Sequence, residues 1–294
     1  MRRTHSLPRI SVVTPSFNQA QYLEQTILSV LGQNYPNLEY IVIDGGSTDG
    51  SVDILRKYER DISYWVSEKD HGQAAAIQRG FSMATGEIFG WLNSDDYYLP
   101  EALSKVADAF GCNPAAEFVI GGYAAVRADG KLICKYYAFE QDFLSFLCVG
   151  QHAGQMACFW RKSAYVAVGG IDPNLQYCMD YDLMLRLARR KDPTIIDDCL
   201  ACFRLHDAAK TAMILQAVEP RETREIRARY GYAELPAQTR DSVLHATTRK
   251  FRQNQRRGLI RDVYRDPGYF SRFLGVRVID AIIPGIRKRF RRQS

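Results

Sequence analysis

No apolar run in this 294-residue chain reaches the length that a helix needs to cross a bilayer. The opening, Met1-Arg2-Arg3-Thr4-His5-Ser6-Leu7-Pro8, is basic but passes straight into a strand-like segment, without the apolar stretch of a secretory leader. Cysteine is scarce: seven residues, an odd number, scattered mostly in apolar surroundings. A chain of this length can bury a core without staples, so these are expected to be reduced thiols of a cytoplasmic protein. Internal repeats and low-complexity tracts are absent. So is a basic phosphate-gripping loop after the first strand-like run.

What is present reads as an ordinary globular composition, 46% hydrophobic and 24% charged. The net charge of +6 conceals an asymmetry. Residues 1–212 hold 20 Lys/Arg against 25 Asp/Glu, a net −5, whereas residues 213–294 hold 19 against 8, a net +11. A mildly acidic body therefore precedes a basic region of helical character, with helices expected from about 220 to 231 and from about 241 to 258. Such a region suits an anionic surface, or is simply a set of solvated helix faces.

The first hundred residues alternate β-rich runs with helical periodicity, the pattern of a parallel α/β sheet. Strands are expected at 10–14, 40–43, 62–66 and 88–92, and helices between them, the third over 73–84. A later helix is expected over 182–188. The strand ends deliver polar clusters at Asp44, at Glu68 to Asp70, and at Asp95-Asp96. Ligands of open α/β sheets bind outside the carboxyl ends of the strands, so these acids should share one rim.

Adjacent Asp95 and Asp96 follow the apolar run Ile88-Phe89-Gly90-Trp91-Leu92, and a buried carboxylate pair without a cation is severely penalised. Hard oxygens at a strand end suit Mg²⁺ or Mn²⁺; the competing reading is a turn that caps a helix starting at Pro100. The glycine-rich segment Asp44-Gly45-Gly46-Ser47-Thr48-Asp49-Gly50-Ser51 has no lysine for phosphate and reads as a nucleoside pocket as well as a helix-capping turn. Cys199 and Cys202, four residues before His206, form a lone pair in an apolar strand-like run and read as core thiols rather than zinc ligands. Trp160 reads as core more than as a sugar-stacking platform.

These clusters, in order, resemble the family 2 glycosyltransferases over about residues 8–212. The matching stretches include Thr14-Pro15-Ser16-Phe17-Asn18, Asp44-Gly45-Gly46-Ser47-Thr48-Asp49-Gly50, Glu68-Lys69-Asp70, Trp91-Leu92-Asn93-Ser94-Asp95-Asp96, Gly169-Gly170-Ile171-Asp172, Met179-Asp180-Tyr181-Asp182 and Arg204-Leu205-His206. The resemblance implies a glycosyltransferase-A catalytic domain over 1–212, with a mostly parallel sheet, followed by a basic helical extension over 213–294. It implies that Asp44 and the backbone near Pro15 and Ser16 hold the nucleobase, and that Asp70 is a nucleotide-site acid. Asp95 would face ribose and the metal shell, Asp96 would ligate Mn²⁺ or Mg²⁺, and His206 would be a further metal ligand. Asp180 would be the catalytic base. Two positions depart from the pattern: Met179 replaces a glutamate, and Asn93 stands where some relatives have aspartate.

The implied activity is inverting transfer of a sugar from a UDP-, GDP- or dTDP-sugar to an acceptor hydroxyl on a glycan or lipid, in synthesis of a bacterial-type surface polysaccharide or glycolipid. A nucleotidyltransferase and an inactive glycan- or nucleotide-binding relative are the alternatives. The basic end would dock on the inner face of an anionic membrane, through apolar and basic residues between Arg265 and Arg292. No specific nucleic-acid motif is present.

Overall fold

The computed structural model describes residues 7–207, 209 and 221–265. Four parallel strands open it: β1 (Ile10–Ser16), β2 (Leu38–Asp44), β3 (Tyr64–Ser67) and β4 (Ile88–Trp91). Helices α1 (Ala20–Leu31), α2 (Ser51–Lys57) and α3 (Gln73–Met83) make the crossovers that parallel pairing requires. The third strand starts two residues later than its sequence pattern predicts, because Ile62 is buried in the turn before it.

The chain continues through β5 (Tyr97–Tyr98), α4 (Ala102–Cys112), β6 (Phe118–Arg127), β7 (Leu132–Tyr136), α5 (Phe143–Val149), β8 (Cys158–Arg161), α6 (Lys162–Ala167), α7 (Met179–Arg190) and β9 (Thr194–Leu205). One nine-stranded sheet results, in the order β3-β2-β1-β4-β8-β6-β9-β5, with β7 on the side of β6. β8 runs antiparallel to both β4 and β6, whereas β6 and β9 are parallel. The sheet is therefore parallel in its first half and mixed in its second.

β1 and β2 show how sequence produces this layering. Both are almost continuously buried, and alternate residues feed opposite cores: Val13, Ile41 and Ile43 one, Ile10, Val12 and Val42 the other. That is the signature of a sheet covered on both faces. Helix α3 lies so close on β1 that a Cβ at Gly80 would stand 2.4 Å from Val13 Cγ1. Trp160, fully buried, packs with Phe81 and Tyr165, so it is core and not a sugar platform. All seven cysteines are free thiols, and Cys199 and Cys202 are buried in β9.

Helix α7 begins three residues before its predicted start, which puts Asp180 as well as Asp182 in its first turn, with Arg189 and Arg190 in its last. Both ends thus complement the helix dipole. Beyond β9 lie α8 (Arg221–Arg229) and the long α9 (Ala237–Arg265). Ile226 of α8 is fully buried in the larger core cluster. α9 bridges to the strand β7 and the segment after it: the Tyr137 N–H donates to Gln255 Oε1 at 3.0 Å, and the Tyr137 hydroxyl to Asp262 at 2.7 Å. Among the described residues no helix is long and apolar enough to cross a membrane. The expected membrane-docking segment, from Arg265 onward, lies outside the described residues apart from the last backbone residue of α9.

Candidate functional site

A cavity of about 920 Å³ opens at the carboxyl ends of the parallel strands. Register explains its position: Ser16 of β1 pairs with Asp44 of β2, and Asp44 with Ser67 of β3, so the loops leaving these strands emerge side by side. The cavity lining includes Pro15, Ser16, Gly45, Gly46, Asp70 and the turn from Asn93 to Asp95 from the parallel half of the sheet, and Gln151, Gln155, Tyr177, Met179 and Asp180 from later segments.

The carboxylate of Asp44 does not line this cavity. It is fully buried, and both oxygens accept internal hydrogen bonds: Oδ1 from the Ser47 hydroxyl at 2.6 Å, Oδ2 from Ser47 N at 2.9 Å, Gly46 N at 3.2 Å and the Ser67 hydroxyl at 2.6 Å. It thereby folds the loop whose glycines form the wall. Gly46 adopts φ of +83°, a conformation that favours glycine. Gly45 leaves room for Asp70: a Cβ there would stand 3.1 Å from Asp70 Oδ2. Asp70 reaches the cavity, with Oδ1 steadied by the Gly72 N–H at 2.8 Å.

The two adjacent aspartates separate sharply. Asp95 lines the cavity, and its Oδ2 lies 3.0 Å from His206 Nε2. Asp96 turns inward and is 1% exposed; its Oδ1 accepts the Arg204 N–H at 2.9 Å, and its Oδ2 has no partner. Burial, and next the charge of Asp95, push the Asp96 carboxyl well above the ordinary carboxylate range. The resemblance set Asp96 on the metal and Asp95 toward the ribose and metal shell; here Asp95 is the one that lines the cavity, while Asp96 is buried. Arg204 ties this turn to the end of β9, donating to the Asp95 carbonyl at 2.8 Å and stacking over Tyr22 at 4.6 Å.

Asn93 has its Oδ1 held by the Trp91 indole N–H at 2.7 Å and by Gln73 at 2.8 Å. Asp180, at the start of α7, is partly buried; Gln151 donates to its Oδ2 at 3.1 Å and the Tyr181 N–H to its Oδ1 at 2.8 Å. Burial raises its carboxyl above the ordinary range. Met179, in the place of a glutamate, is buried in the core cluster while forming part of the cavity floor.

Three buried polar atoms on cavity residues, Ser16 Oγ, Gln19 Oε1 and Gln155 Oε1, have no partner. Buried polar groups are normally satisfied, so these three are available to a polar ligand. Arg204 lay within a recognised stretch without an assigned role, and Gln151 lay outside those stretches. The i, i+2 spacing of Arg204 and His206 on a strand was the available signal for the first; Gln151 offered none. Among the described residues no group of three or more His, Cys, Asp or Glu is placed to hold a metal ion. Cys199 and Cys202 accordingly have no third ligand there.

Residues 11–164 match the family model described as Glycosyl transferase family 2. That span includes the nucleotide-side residues and stops short of Asp180 and His206. A Bacillus subtilis protein named as a teichuronic acid biosynthesis glycosyltransferase, TuaG, is 35% identical over 136 residues, 45% of this chain and 54% of that relative. Staphylococcus aureus TarS 1–349 in complex with UDP-GlcNAc superposes with a TM-score of 0.63 at 14% identity, over 96% of this chain and 77% of that one. The mannosyltransferase PcManGT of Pyrobaculum calidifontis, in complex with GDP-Man and Mn²⁺, gives 0.51 at 19% identity, over 83% and 76%. At these identities the two structures establish a shared fold of the glycosyltransferase-A type.

Proposed function

The chain belongs to glycosyl transferase family 2 and is a glycosyltransferase, and we propose that it transfers a sugar from a nucleoside diphosphate to an acceptor hydroxyl with inversion, assisted by a divalent ion. The observation that carries this reading is that Asp95, paired with His206, and Asp180 line one cavity.

The residues fit a metal. A carboxylate and an imidazole held 3.0 Å apart supply two ligands, the number expected where substrate phosphate and water complete the shell. A nitrogen in the set favours Mn²⁺ over Mg²⁺, which prefers oxygen. An ion bound there supplies neutralisation of the charge that develops on the leaving diphosphate. On this reading Asp95 and His206 are the ligands, and Asp96 is a buried support that orients Arg204 and the turn.

The remaining steps belong to the chain itself. Ser16 and Asp70 offer hydrogen bonds at the nucleoside end, in a loop shaped by Asp44. Asp180 accepts the proton of the acceptor hydroxyl on the face of the sugar away from the diphosphate, and its raised proton affinity suits that role. Gln151 and the Tyr181 N–H hold the carboxylate in place. The named role of the Bacillus relative supports a surface-polysaccharide acceptor.

Calorimetric titration of UDP-, GDP- and dTDP-sugars, in Mn²⁺ and in EDTA, tests the reading. One nucleotide series should bind at least about tenfold more tightly with metal, the scale of a lost ligand interaction. Binding by none, or binding indifferent to metal, would oppose it.

A further inference from the structure

Helix α7, which carries Asp180, has no side-chain cap of its own; its N-cap residue is Cys178. The three N–H groups that enter the helix converge instead on one carboxylate from elsewhere. Gln176 N donates to Glu222 Oε1 at 2.7 Å, and Tyr177 N and Cys178 N both donate to Glu222 Oε2 at 2.8 Å. Successive N–H groups aimed at a point form an anion-binding concavity, and a carboxylate at a helix N-terminus also meets a favourable dipole. Glu222 lies in the first turn of α8, whose Ile226 is seated in the same core cluster as Met179, Tyr181 and Leu183. The neighbouring Thr223 hydroxyl lies 3.3 Å from Cys178 Sγ, a second tie between the same two segments.

The segment so held is part of the site: Tyr177 and Asp180 both line the cavity, and Tyr177 is 46% exposed. We propose that Glu222 is a positioning residue of the transferase, a contribution of the C-terminal region that fixes residues 176–178 and, through the first turn of α7, the Asp180 carboxylate on the acceptor side. Two catalytic elements then depend on α8: the direction of the base, and the ring that borders the acceptor's approach. The proposal rests on Asp180 being the base. It deepens that reading by giving the region after β9 a role in the chemistry.

Glu222→Ala and Glu222→Gln in the full chain test it, with Asp180→Asn as reference; the Gln variant keeps size and one acceptor oxygen, which covers the case of an Ala variant that does not fold. Hydrogen exchange is read first, on the protein alone. Amides 176–181 should exchange at least about tenfold faster in Glu222→Ala than in the wild type, with β1 and β2 unchanged and Glu222→Gln intermediate. Kinetics follow with the tightest-binding nucleotide sugar of the calorimetric panel. kcat should fall at least about tenfold with donor KM within about twofold, the split expected when only a transition-state group is displaced, and Glu222→Gln should recover part of it. Unchanged exchange at 176–181, or faster exchange with wild-type kcat, would overturn the proposal. If Asp180→Asn instead kept wild-type kcat, the base assignment itself would fall, whatever Glu222 does.

Discussion

Asp180→Asn is expected to reduce transfer by about 10²–10⁴-fold while leaving donor affinity within a few-fold of the wild type. The change removes a proton acceptor and keeps the shape: the amide oxygen can still accept from the Tyr181 N–H, and Gln151 can turn its own amide oxygen toward the new NH2. Asp95 and His206 are not among the hydrogen-bond partners of Asp180. Loss of activity through unfolding is not expected, and the sign of the pKa shift says why. Burial raises the Asp180 carboxyl in the folded chain, so its contribution favours folding below the ordinary carboxylate pKa of about 4 and is lost as pH rises toward the raised value. At neutral pH the ionised group burdens the fold, and the amide relieves that burden. The Asn variant should therefore melt no lower than the wild type at pH 7. In the wild type, kcat/KM should fall on acidification with a midpoint above the ordinary carboxylate range. Wild-type turnover by the Asn variant would remove Asp180 from the mechanism.

The adjacent aspartates should respond in opposite ways. Asp95→Ala is expected to weaken metal-dependent donor binding by at least about 10–100-fold, the usual scale for disrupting a metal site's ligand sphere. Its side chain borders the cavity and, among the described residues, hydrogen-bonds His206, so little stability should be lost. Asp96→Asn, by contrast, should bind donor within a few-fold of the wild type, because a carboxyl pushed toward its protonated form is closely mimicked by an amide. Removing the acceptor altogether is a different matter. Asp96→Ala strands the buried Arg204 N–H and should cost about 1–3 kcal/mol of stability. Calorimetry of the three variants with donor and Mn²⁺, beside their melting curves, separates the cases. Intact metal-dependent binding in Asp95→Ala together with its loss in Asp96→Asn would return the metal to Asp96.

These two residues also mark how far the sequence could be read. Local periodicity was sufficient for the first half of the fold: uninterrupted apolar runs in β1 and β2, helical spacing between them, and polar clusters at strand ends specify a parallel sheet with one functional rim. The second half depends on pairings between distant segments. β8 inserts antiparallel between β4 and β6, and the two-residue β5 exists because β9 pairs with it. Nothing in the local pattern of Tyr97-Tyr98 announces that. The same limit governs the site. Which of two neighbouring aspartates faces the cavity is decided by Arg204 arriving on β9 to occupy Asp96 Oδ1, a contact 108 positions away in sequence. Asp44 at a strand end read as a nucleobase contact, but its direction was not legible, because Ser47 and Ser67 draw the carboxylate inward. Glu222 carried no signal at all: its role appears only when α8 is seated against the entry to α7.

The proposed reaction is displacement at the sugar carbon by a hydroxyl that Asp180 deprotonates. Time-resolved NMR of the best-binding nucleotide sugar, turned over in Mn²⁺ with water or a simple glycoside as acceptor, reads it most directly. Release of an intact nucleoside diphosphate and a first-formed sugar product of inverted anomeric configuration is expected, both lost in Asp180→Asn. A retained anomer, or release of a nucleoside monophosphate, would contradict it.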